Sequence, residues 1–225
     1  MAAIAAEVGT SGRRAMAPGA WTYGRWVSRP AQNRSERTFF RFLDAAEGLL
    51  SGRNWHEVSV QEIVRRADAS VGSFYNRFVD KTALLRCLDS RLGQECEQTV
   101  AALVSELEAC PALIDEAPGM MVSLFMRLCT ERSGVIRALD MAQKMSEPGD
   151  FSGLGPSFDA AANRIGELLA AEHGALKAYS VHEVAQALRE SFWLTREMLL
   201  YHPPAKPADA LHRSLLRHFY ASLQD

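Results

Sequence analysis

Residues 59–85 read SVQEIVRRADASVGSFYNRFVDKTALL, and this stretch decides the fold because two short helical patterns are joined in it by a tight turn. Ser59 and Glu62 have the spacing of a capping box, which predicts that a helix begins after Ser59. Asp68 lies in the turn, and Ser70 has the position of an N-cap for the second helix. The second helix carries small and polar side chains where a helix that only packs would carry Leu and Ala. The pattern is typical of a helix-turn-helix, whose second helix enters the major groove of DNA.

The second helix is predicted to be anchored by Phe74 and Phe78, which are four residues apart and face inward. The small residues at its start allow a close approach to base edges, and Asn76 is of a type that pairs well with adenine. Lys81, in the first turn of the next helix, opposes the helix dipole, which is easier to understand if a phosphate lies beside it. Two alternatives stay open: Tyr75 packs at a helix junction, and Asn76 is a solvated position.

The rest of the chain from Ser35 onward is helical in pattern, and no stretch shows the alternation of a strand. An apolar helical face precedes Gly52, and Asp80 is predicted to cap a long helix that ends before Pro111. Further helices, each bounded by Pro or Gly, are predicted at about residues 117–131, 134–145, 156–173, 180–201 and 207–223. We therefore predict an all-α fold.

The charge of the chain is unevenly distributed although its net charge is only −2. Residues 1–91 contain 14 basic and 9 acidic residues, whereas residues 92–225 contain 11 and 18, so a polyanion is predicted to meet the first part. Residues 36–86 have a net charge of only +1, and much of the positive charge lies in residues 1–34, a segment without periodicity. This arm is predicted to be flexible, with candidate DNA contacts at Arg25, Arg29 and Arg34.

Several other classes of protein are not indicated by the sequence. The four cysteines form no C-x-x-C, and the histidines are scattered, so no metal site and no disulfide framework are predicted. The chain lacks a G-x-S-x-G motif and a Gly-rich phosphate loop, and we expect neither enzymatic activity nor a cofactor. No apolar run approaches the roughly 18 residues of a membrane span, and Arg13-Arg14 precedes no apolar export segment. A cytoplasmic protein is the expectation.

The stretch Phe39–Leu88 resembles the N-terminal domain of the TetR family of bacterial transcriptional regulators. The resemblance is carried by the Gly52 turn, the Ser59-Val60-x-x-Ile63 helix and a long composite motif. That motif reads Ala67-x-Ala69-Ser70-Val71-Gly72-Ser73-Phe74-Tyr75-x-x-Phe78-x-x-Lys81-x-x-Leu84-Leu85. One departure is Asp68, where the family usually has Gly, but Asp tolerates the left-handed conformation better than most residues.

The resemblance implies that Ser73, Tyr75 and Arg77 contact DNA, that Lys81 holds a phosphate and that Gln61 is a candidate base contact. Together with the residues indicated by the helix pattern, the candidate DNA-binding set is Ser59, Gln61, Ser70, Val71, Gly72, Ser73, Tyr75, Asn76, Arg77 and Lys81. The predicted organisation is an arm at residues 1–34, a three-helix helix-turn-helix domain at 35–80, and a helical ligand-binding and dimerisation domain at 81–225.

The C-terminal part is rich in methionine, a residue that suits surfaces adapting to varied apolar ligands. Five of the eight methionines fall between residues 120 and 145. The resemblance implies an effector cavity here, and the alternative is an ordinary bundle core. The segment 146–155 is predicted to be either a flap over such a cavity or a simple loop. The candidate pocket residues are Met121, Phe125, Met126, Met141, Met145, Phe158 and Trp193.

The last two helices have apolar residues at three- and four-residue spacing, which predicts a four-helix bundle formed by two subunits across a two-fold axis. The resembled family has this interface too. The candidate interface residues are Val184, Leu188, Phe192, Leu211, Leu215 and Phe219.

The sequence thus predicts a homodimeric repressor that binds double-stranded DNA at a near-palindromic operator and is released by a small, largely apolar effector. One alternative is an activator or a co-repressor-dependent regulator on the same fold. Another, from a different class, is a helical ligand-binding or adaptor protein without DNA binding.

Overall fold

The computed structural model describes residues 33–147, 150–151, 154–202 and 207–224, with side chains from residue 37 onward. In this part of the chain there are nine α-helices and no strand, which confirms the all-α prediction. The helices are α1 (Asn33–Leu50), α2 (Val60–Arg66), α3 (Val71–Tyr75), α4 (Lys81–Ala109), α5 (Ala117–Glu131), α6 (Ser133–Met145), α7 (Gly155–Glu172), α8 (Val181–Leu200) and α9 (Ala208–Ala221). Arg25, Arg29 and the Arg34 side chain lie outside the described residues.

The bounds of the longer helices agree with the sequence pattern to within about two residues, and the structure adds three short 3-10 helices that the pattern does not predict. They span Trp55–Glu57, Pro111–Glu116 and Leu176–Ala178. Segments of three to six residues complete too few turns to produce a recognisable apolar period.

The described chain divides into two compact units. The N-terminal unit contains α1 up to Ala46 and the segment Ser59–Leu84. The C-terminal unit contains Glu47–Val58 and the chain from Leu85 onward.

The N-terminal unit is built on four phenylalanine rings from α1 and the α3 region. Phe42, Phe74 and Phe78 are fully buried, and Phe39 is 1% exposed. The Phe74 ring lies 5.5 Å from Phe42 and 5.0 Å from Phe78, and Phe78 stacks on Phe39 at 5.6 Å between centroids. Truncating one such ring costs about 3–5 kcal/mol. The cluster therefore fixes the α3 region on α1.

The C-terminal unit is a bundle in which α8 packs against α5, α7 and α9. Its centre is a second aromatic cluster, in which Phe158 stacks on Phe192 at 3.9 Å and Phe125 meets both rings edge-on. Gly166 of α7 allows a close approach to α8, because a β-carbon there would lie 3.1 Å from the Val181 carbonyl oxygen and 3.2 Å from the Ala185 β-carbon.

Gly134, the second residue of α6, is required by its contact with the end of α1. A β-carbon at this position would lie 2.0 Å from the Leu50 carbonyl oxygen and 2.4 Å from the Leu50 carbonyl carbon. Backbone atoms have little freedom to move away, so Gly134→Ala should lower the free energy of unfolding by about 3 kcal/mol, the upper end of overpacking costs. Urea denaturation followed by circular dichroism measures this.

The matched control is Gly155→Ala at the first residue of α7, where a β-carbon would meet no atom within 4 Å. We expect Gly155→Ala to be neutral or slightly stabilising. Equal effects of the two substitutions would contradict the close contact at Gly134.

Candidate functional site

The α2 helix begins with the capping box that the sequence predicts. The Ser59 hydroxyl accepts a hydrogen bond from the Glu62 amide at 3.2 Å, and the Glu62 carboxylate accepts one from the Ser59 amide at 2.9 Å. The helix buries Ile63 and Val64 and leaves Gln61 exposed. Two otherwise unpaired amides are satisfied in this way, so a helix of seven residues has a well-defined start.

The turn between α2 and α3 is held from outside by α1. Asp68 has a φ of +46°, in the left-handed region predicted for it. Its carbonyl oxygen accepts a hydrogen bond from the Arg41 guanidinium at 2.6 Å, and its carboxylate accepts a second at 2.9 Å. Nothing in the local pattern indicates Arg41, because the two residues are 27 positions apart.

The α3 helix is shorter than predicted and ends at Tyr75 rather than near Phe78. The Ser70 hydroxyl caps it by accepting a hydrogen bond from the Ser73 amide at 3.1 Å. After Tyr75 the chain turns, with the Arg77 and Phe78 amides both donating to the Phe74 carbonyl oxygen at 2.9 Å. Phe78 thus reaches the core through a turn instead of a continued helix.

The α2 and α3 regions together expose most of the candidate DNA-binding residues. Val71 and Tyr75 are 43% and 55% exposed, and Gly72 and Asn76 are also exposed. Ser59, Gln61 and Ser70 are exposed as well, whereas Ser73 is half-buried. These residues belong to one unit and share the surface of α2 and α3 that the phenylalanine cluster leaves outward.

Arg77, which the resemblance implies as a DNA contact, differs from most of the other candidates because it is buried. It is only 9% exposed and takes part in interactions within the chain. The physical reason is its position in the turn after α3, where the chain doubles back beside the buried Phe74 and Phe78. In this conformation the Arg77 side chain is not part of the exposed surface.

Lys81 is the first residue of α4, and Asp80 caps that helix, since the Asp80 carboxylate accepts a hydrogen bond from the Ala83 amide at 2.6 Å. Burial lowers the pKa of the Lys81 ammonium from its ordinary value. Desolvation disfavours the charged form, so a phosphate placed beside Lys81 would restore part of the lost stabilisation.

The seven candidate pocket residues do not line one cavity. Met121, Phe125 and Phe158 are buried in the bundle core, where the two rings belong to the aromatic cluster. Met141 and Met145, in contrast, are 53% and 81% exposed on α6. The remaining two are the half-buried Met126 and the 44% exposed Trp193.

The C-terminal unit does contain a cavity of about 750 Å³, formed by α4, α6, the start of α7 and the end of α8. Of the candidate pocket residues only Trp193 lines it. Its apolar lining includes Leu92, Ile136 and Leu139, and its volume is within the range of small-molecule sites. Charged side chains, among them Asp140, Arg196 and Glu197, also line the cavity, whereas the methionine-rich sequence predicts a largely apolar lining.

A charged pair that is absent from the candidate pocket residues forms part of the cavity wall. Arg196 makes an ion pair with Asp140, and both side chains are about 15% exposed. The Tyr201 hydroxyl donates a hydrogen bond to the same carboxylate, and the Arg196 guanidinium lies 4.9 Å from the Trp193 ring centroid. Burial, followed by this hydrogen bond, raises the pKa of Tyr201 to about 12, so the hydroxyl remains a donor.

A signal for this pair is present in the sequence. Asp140 follows Ile136 by four residues and Arg196 follows Phe192 by four, so each charge continues an apolar helical stripe. A charged residue on an apolar helical face indicates either a buried ion-pair partner or a ligand-binding site.

The six candidate interface residues lie inside the single chain. Val184, Leu188, Phe192, Leu211, Leu215 and Phe219 are each no more than 2% exposed. Helical periodicity indicates an apolar face but not which neighbour covers it, and here the neighbours are helices of the same chain. The adjoining apolar side chains are only partly buried, and they are Met126, Leu194, Met198, Leu199 and Leu216.

Three further observations on the described residues concern membrane helices, metal sites and cysteines. None of the helices there is long and apolar enough to cross a membrane. The described His, Cys, Asp and Glu side chains form no group of three that would hold a metal ion. The four cysteines, Cys87, Cys96, Cys110 and Cys129, are free thiols.

A helix-turn-helix with an exposed α2–α3 surface, followed by a helical bundle, is an arrangement found among DNA-binding regulators. Residues 42–88 match the family described as bacterial regulatory proteins, tetR family. These residues therefore resemble the N-terminal domain of that family, and the chain shares the overall fold of solved TetR-family regulators.

Solved structures share this fold at low sequence identity. A transcriptional regulator of the TerR/AcrR family from Aquifex aeolicus VF5 is 18% identical with a TM-score of 0.55, and the match covers 82% of this chain and 98% of that one. A TetR-family regulator from Syntrophomonas wolfei str. Goettingen is 16% identical with a TM-score of 0.57, covering 86% and 97%. A TetR regulator from Rhodococcus sp. RHA1 is 15% identical with a TM-score of 0.52, covering 85% and 98%. None of the curated proteins matches the chain significantly.

The left-handed residue in the α2–α3 turn gives a test of how the turn is stabilised. Asp68→Ala removes the carboxylate bound by Arg41 and places a residue with poor tolerance of positive φ at +46°. We expect the free energy of unfolding to fall by about 1–2 kcal/mol, measured by urea denaturation.

Asp68→Gly is the matched substitution, because glycine adopts this conformation without strain and the backbone carbonyl still accepts from Arg41. Its effect should stay within about 0.5 kcal/mol, since an exposed ion pair contributes little. If Asp68→Gly costs as much as Asp68→Ala, the ion pair and not the backbone conformation determines the stability of the turn.

Proposed function

We propose that the protein is a homodimeric transcriptional repressor that binds a near-palindromic operator through α2 and α3 and releases it when a small molecule occupies the C-terminal cavity. The observation that carries the proposal is the exposed surface of α3, held on the buried phenylalanine cluster within a domain of the TetR family. A helix that served only for packing would have no reason to expose Val71, Tyr75 and Asn76 together.

In the proposed complex α3 lies in the major groove. Val71 and Gly72 allow close approach to base edges, with the Val71 side chain suited to a thymine methyl group and Asn76 to adenine. Tyr75 extends along the rim. Arg77 contributes to the position of the turn rather than to a direct contact, because it is buried.

Phosphate contacts in this proposal come from Lys81, from Ser59 and Ser70 at the exposed helix starts, and from the half-buried Ser73, while Gln61 on α2 remains a candidate base contact. The Arg-rich arm adds positive charge, which the net charge of +1 in residues 36–86 makes necessary. Candidate contacts there are Arg25, Arg29 and Arg34.

The roles of Lys81 and Asn76 differ and can be separated by measurement. Lys81→Ala removes a phosphate contact, so binding should weaken for all DNA sequences alike and the slope of log K against log salt should fall by about 1. Asn76→Ala should instead relax base preference at one position and leave the slope unchanged. Fluorescence anisotropy with fragments from the protein's own upstream region, at several salt concentrations, measures both.

If the two variants behave identically, this division of roles is wrong. If no tested near-palindrome shows binding that is specific and steeply salt-dependent, DNA binding itself is contradicted, and the helical adaptor alternative is favoured. Tighter binding in the presence of effector would indicate a co-repressor-dependent regulator.

The proposed dimer interface uses the outer side of α8 and α9 instead of the six core residues. Met126, Leu194, Met198, Leu199 and Leu216 extend the buried cluster of Val122, Leu211 and Leu215 outward and remain only partly buried in one chain. A second copy placed across a two-fold axis would cover them, and it would bring two α3 helices about 34–36 Å apart on DNA.

The double substitution Leu194→Glu, Met198→Glu should convert the dimer to a monomer, because two charges would be buried in each half of the interface. We expect sedimentation to give the monomer mass and operator affinity to fall by more than about 100-fold, since one half-site is lost. The control Met145→Glu changes a methionine that is 81% exposed and lies outside this cluster, and it should leave the mass unchanged. A stable dimer in the double variant would place the interface elsewhere.

A further inference from the structure

We infer that the cavity of the C-terminal unit accepts an organic anion with an apolar body, such as a hydrophobic carboxylate, and that the anionic group binds near Lys144. This inference rests on the proposed function, in which the cavity holds the effector, and it replaces the largely apolar effector expected from the methionines.

Two of the three carboxylates in the wall, Asp140 and Asp159, are already paired with arginines. Asp140 binds Arg196 and the Tyr201 hydroxyl, and Asp159 accepts a hydrogen bond from Arg189 at 2.8 Å. A cationic group placed at Asp140 would therefore have to displace Arg196 or the Tyr201 hydroxyl, at a cost in hydrogen bonds to this carboxylate. The third carboxylate, Glu197, is half exposed to solvent and lies 3.4 Å from the His202 imidazole.

The donors in the wall are less well satisfied. The side chains of Gln143 and Lys144 line the cavity and are exposed, and among the described residues neither has a hydrogen-bond or ion-pair partner, so their donors are available to a ligand in exchange for water. Arg196 has Asp140 as its one ionic partner in the same part of the chain, and a guanidinium has five N–H donors. An anion is the ligand group that satisfies such donors.

The apolar side chains in the cavity wall favour a ligand with an apolar body. Trp193 is 44% exposed within a concave site, and its neighbours in the lining include Ile136, Leu139 and Leu154. One region around the Trp193 ring is occupied by the Arg196 guanidinium, and the rest of the exposed ring is apolar surface that a ligand would cover. A fully polar anion would leave this surface in water.

Three probes with the same body and different head groups test the charge preference: 4-phenylbutyrate, 4-phenylbutylamine and 4-phenylbutan-1-ol. Isothermal titration calorimetry on the full chain should give an affinity for the carboxylate at least about tenfold above that for the amine or the alcohol. Equal affinities, tighter binding of the amine, or binding of none of the three would overturn the inference.

The site is located with Lys144→Gln, which keeps a polar side chain but removes the charge. Affinity for 4-phenylbutyrate should fall about fivefold, while affinity for the alcohol stays the same. The control Lys177→Gln changes an exposed lysine that does not line the cavity and should alter neither. Equal losses in the two variants would overturn the assignment. Trp193→Ala should weaken the carboxylate and the alcohol alike.

Release of operator DNA by 4-phenylbutyrate, followed by fluorescence anisotropy, is measured separately. Calorimetric binding without DNA release contradicts the proposed effector role of the cavity while the ligand class stands. Failure of calorimetric binding contradicts the ligand class even if the protein binds its operator.

Discussion

The packing of Phe74 and Phe78 on Phe39 and Phe42 is the constraint on which the DNA-binding unit depends. With five residues, α3 makes little more than one turn, and a helix of that length has no stability of its own. Its direction is set by the rings beneath it, by the Ser70 cap and by the Arg41 contact to the preceding turn. The residues proposed to meet DNA are thus positioned by the buried rings beneath them, and a change in the cluster would act on recognition through geometry.

In the C-terminal unit a charged pair, Arg196 and Asp140, occupies a nearly buried position where apolar side chains would avoid the cost of desolvation. The Arg196–Asp140 pair is nearly buried, and such a pair offsets its desolvation only with good geometry and further hydrogen bonds. The Tyr201 hydroxyl supplies one of these. A buried pair beside a cavity is more readily explained by ligand recognition than by stability. If the cavity ligand controls DNA binding, it must bind one conformation of the protein more tightly than another, by about 1–3 kcal/mol for ordinary coupling.

Much of the fold is predictable because its signals are local. Ser59, Ser70 and Asp80 begin helices through contacts three residues away, and each cap agrees with the sequence pattern. The contacts that the sequence does not predict join residues that are distant in the chain. Arg41 reaches Asp68 across 27 positions, and Asp140 meets Arg196 from another helix. The six candidate interface residues show that helical periodicity does not identify the partner of an apolar face. Apolar periodicity identifies Leu188 and Leu215 as covered, but a helix of the same chain and a helix of a second subunit leave the same pattern.

Because α3 has only five residues, the proposed recognition surface depends on the cooperative folding of the N-terminal unit. Since the helix exists only while the phenylalanine cluster is intact, the recognition surface has no independently folded form that a peptide of these residues would retain. Local opening of the unit removes the whole surface at once instead of weakening single contacts. The fraction of molecules able to bind an operator at a given temperature is then set by the opening equilibrium of this small unit, even where the larger bundle remains fully folded.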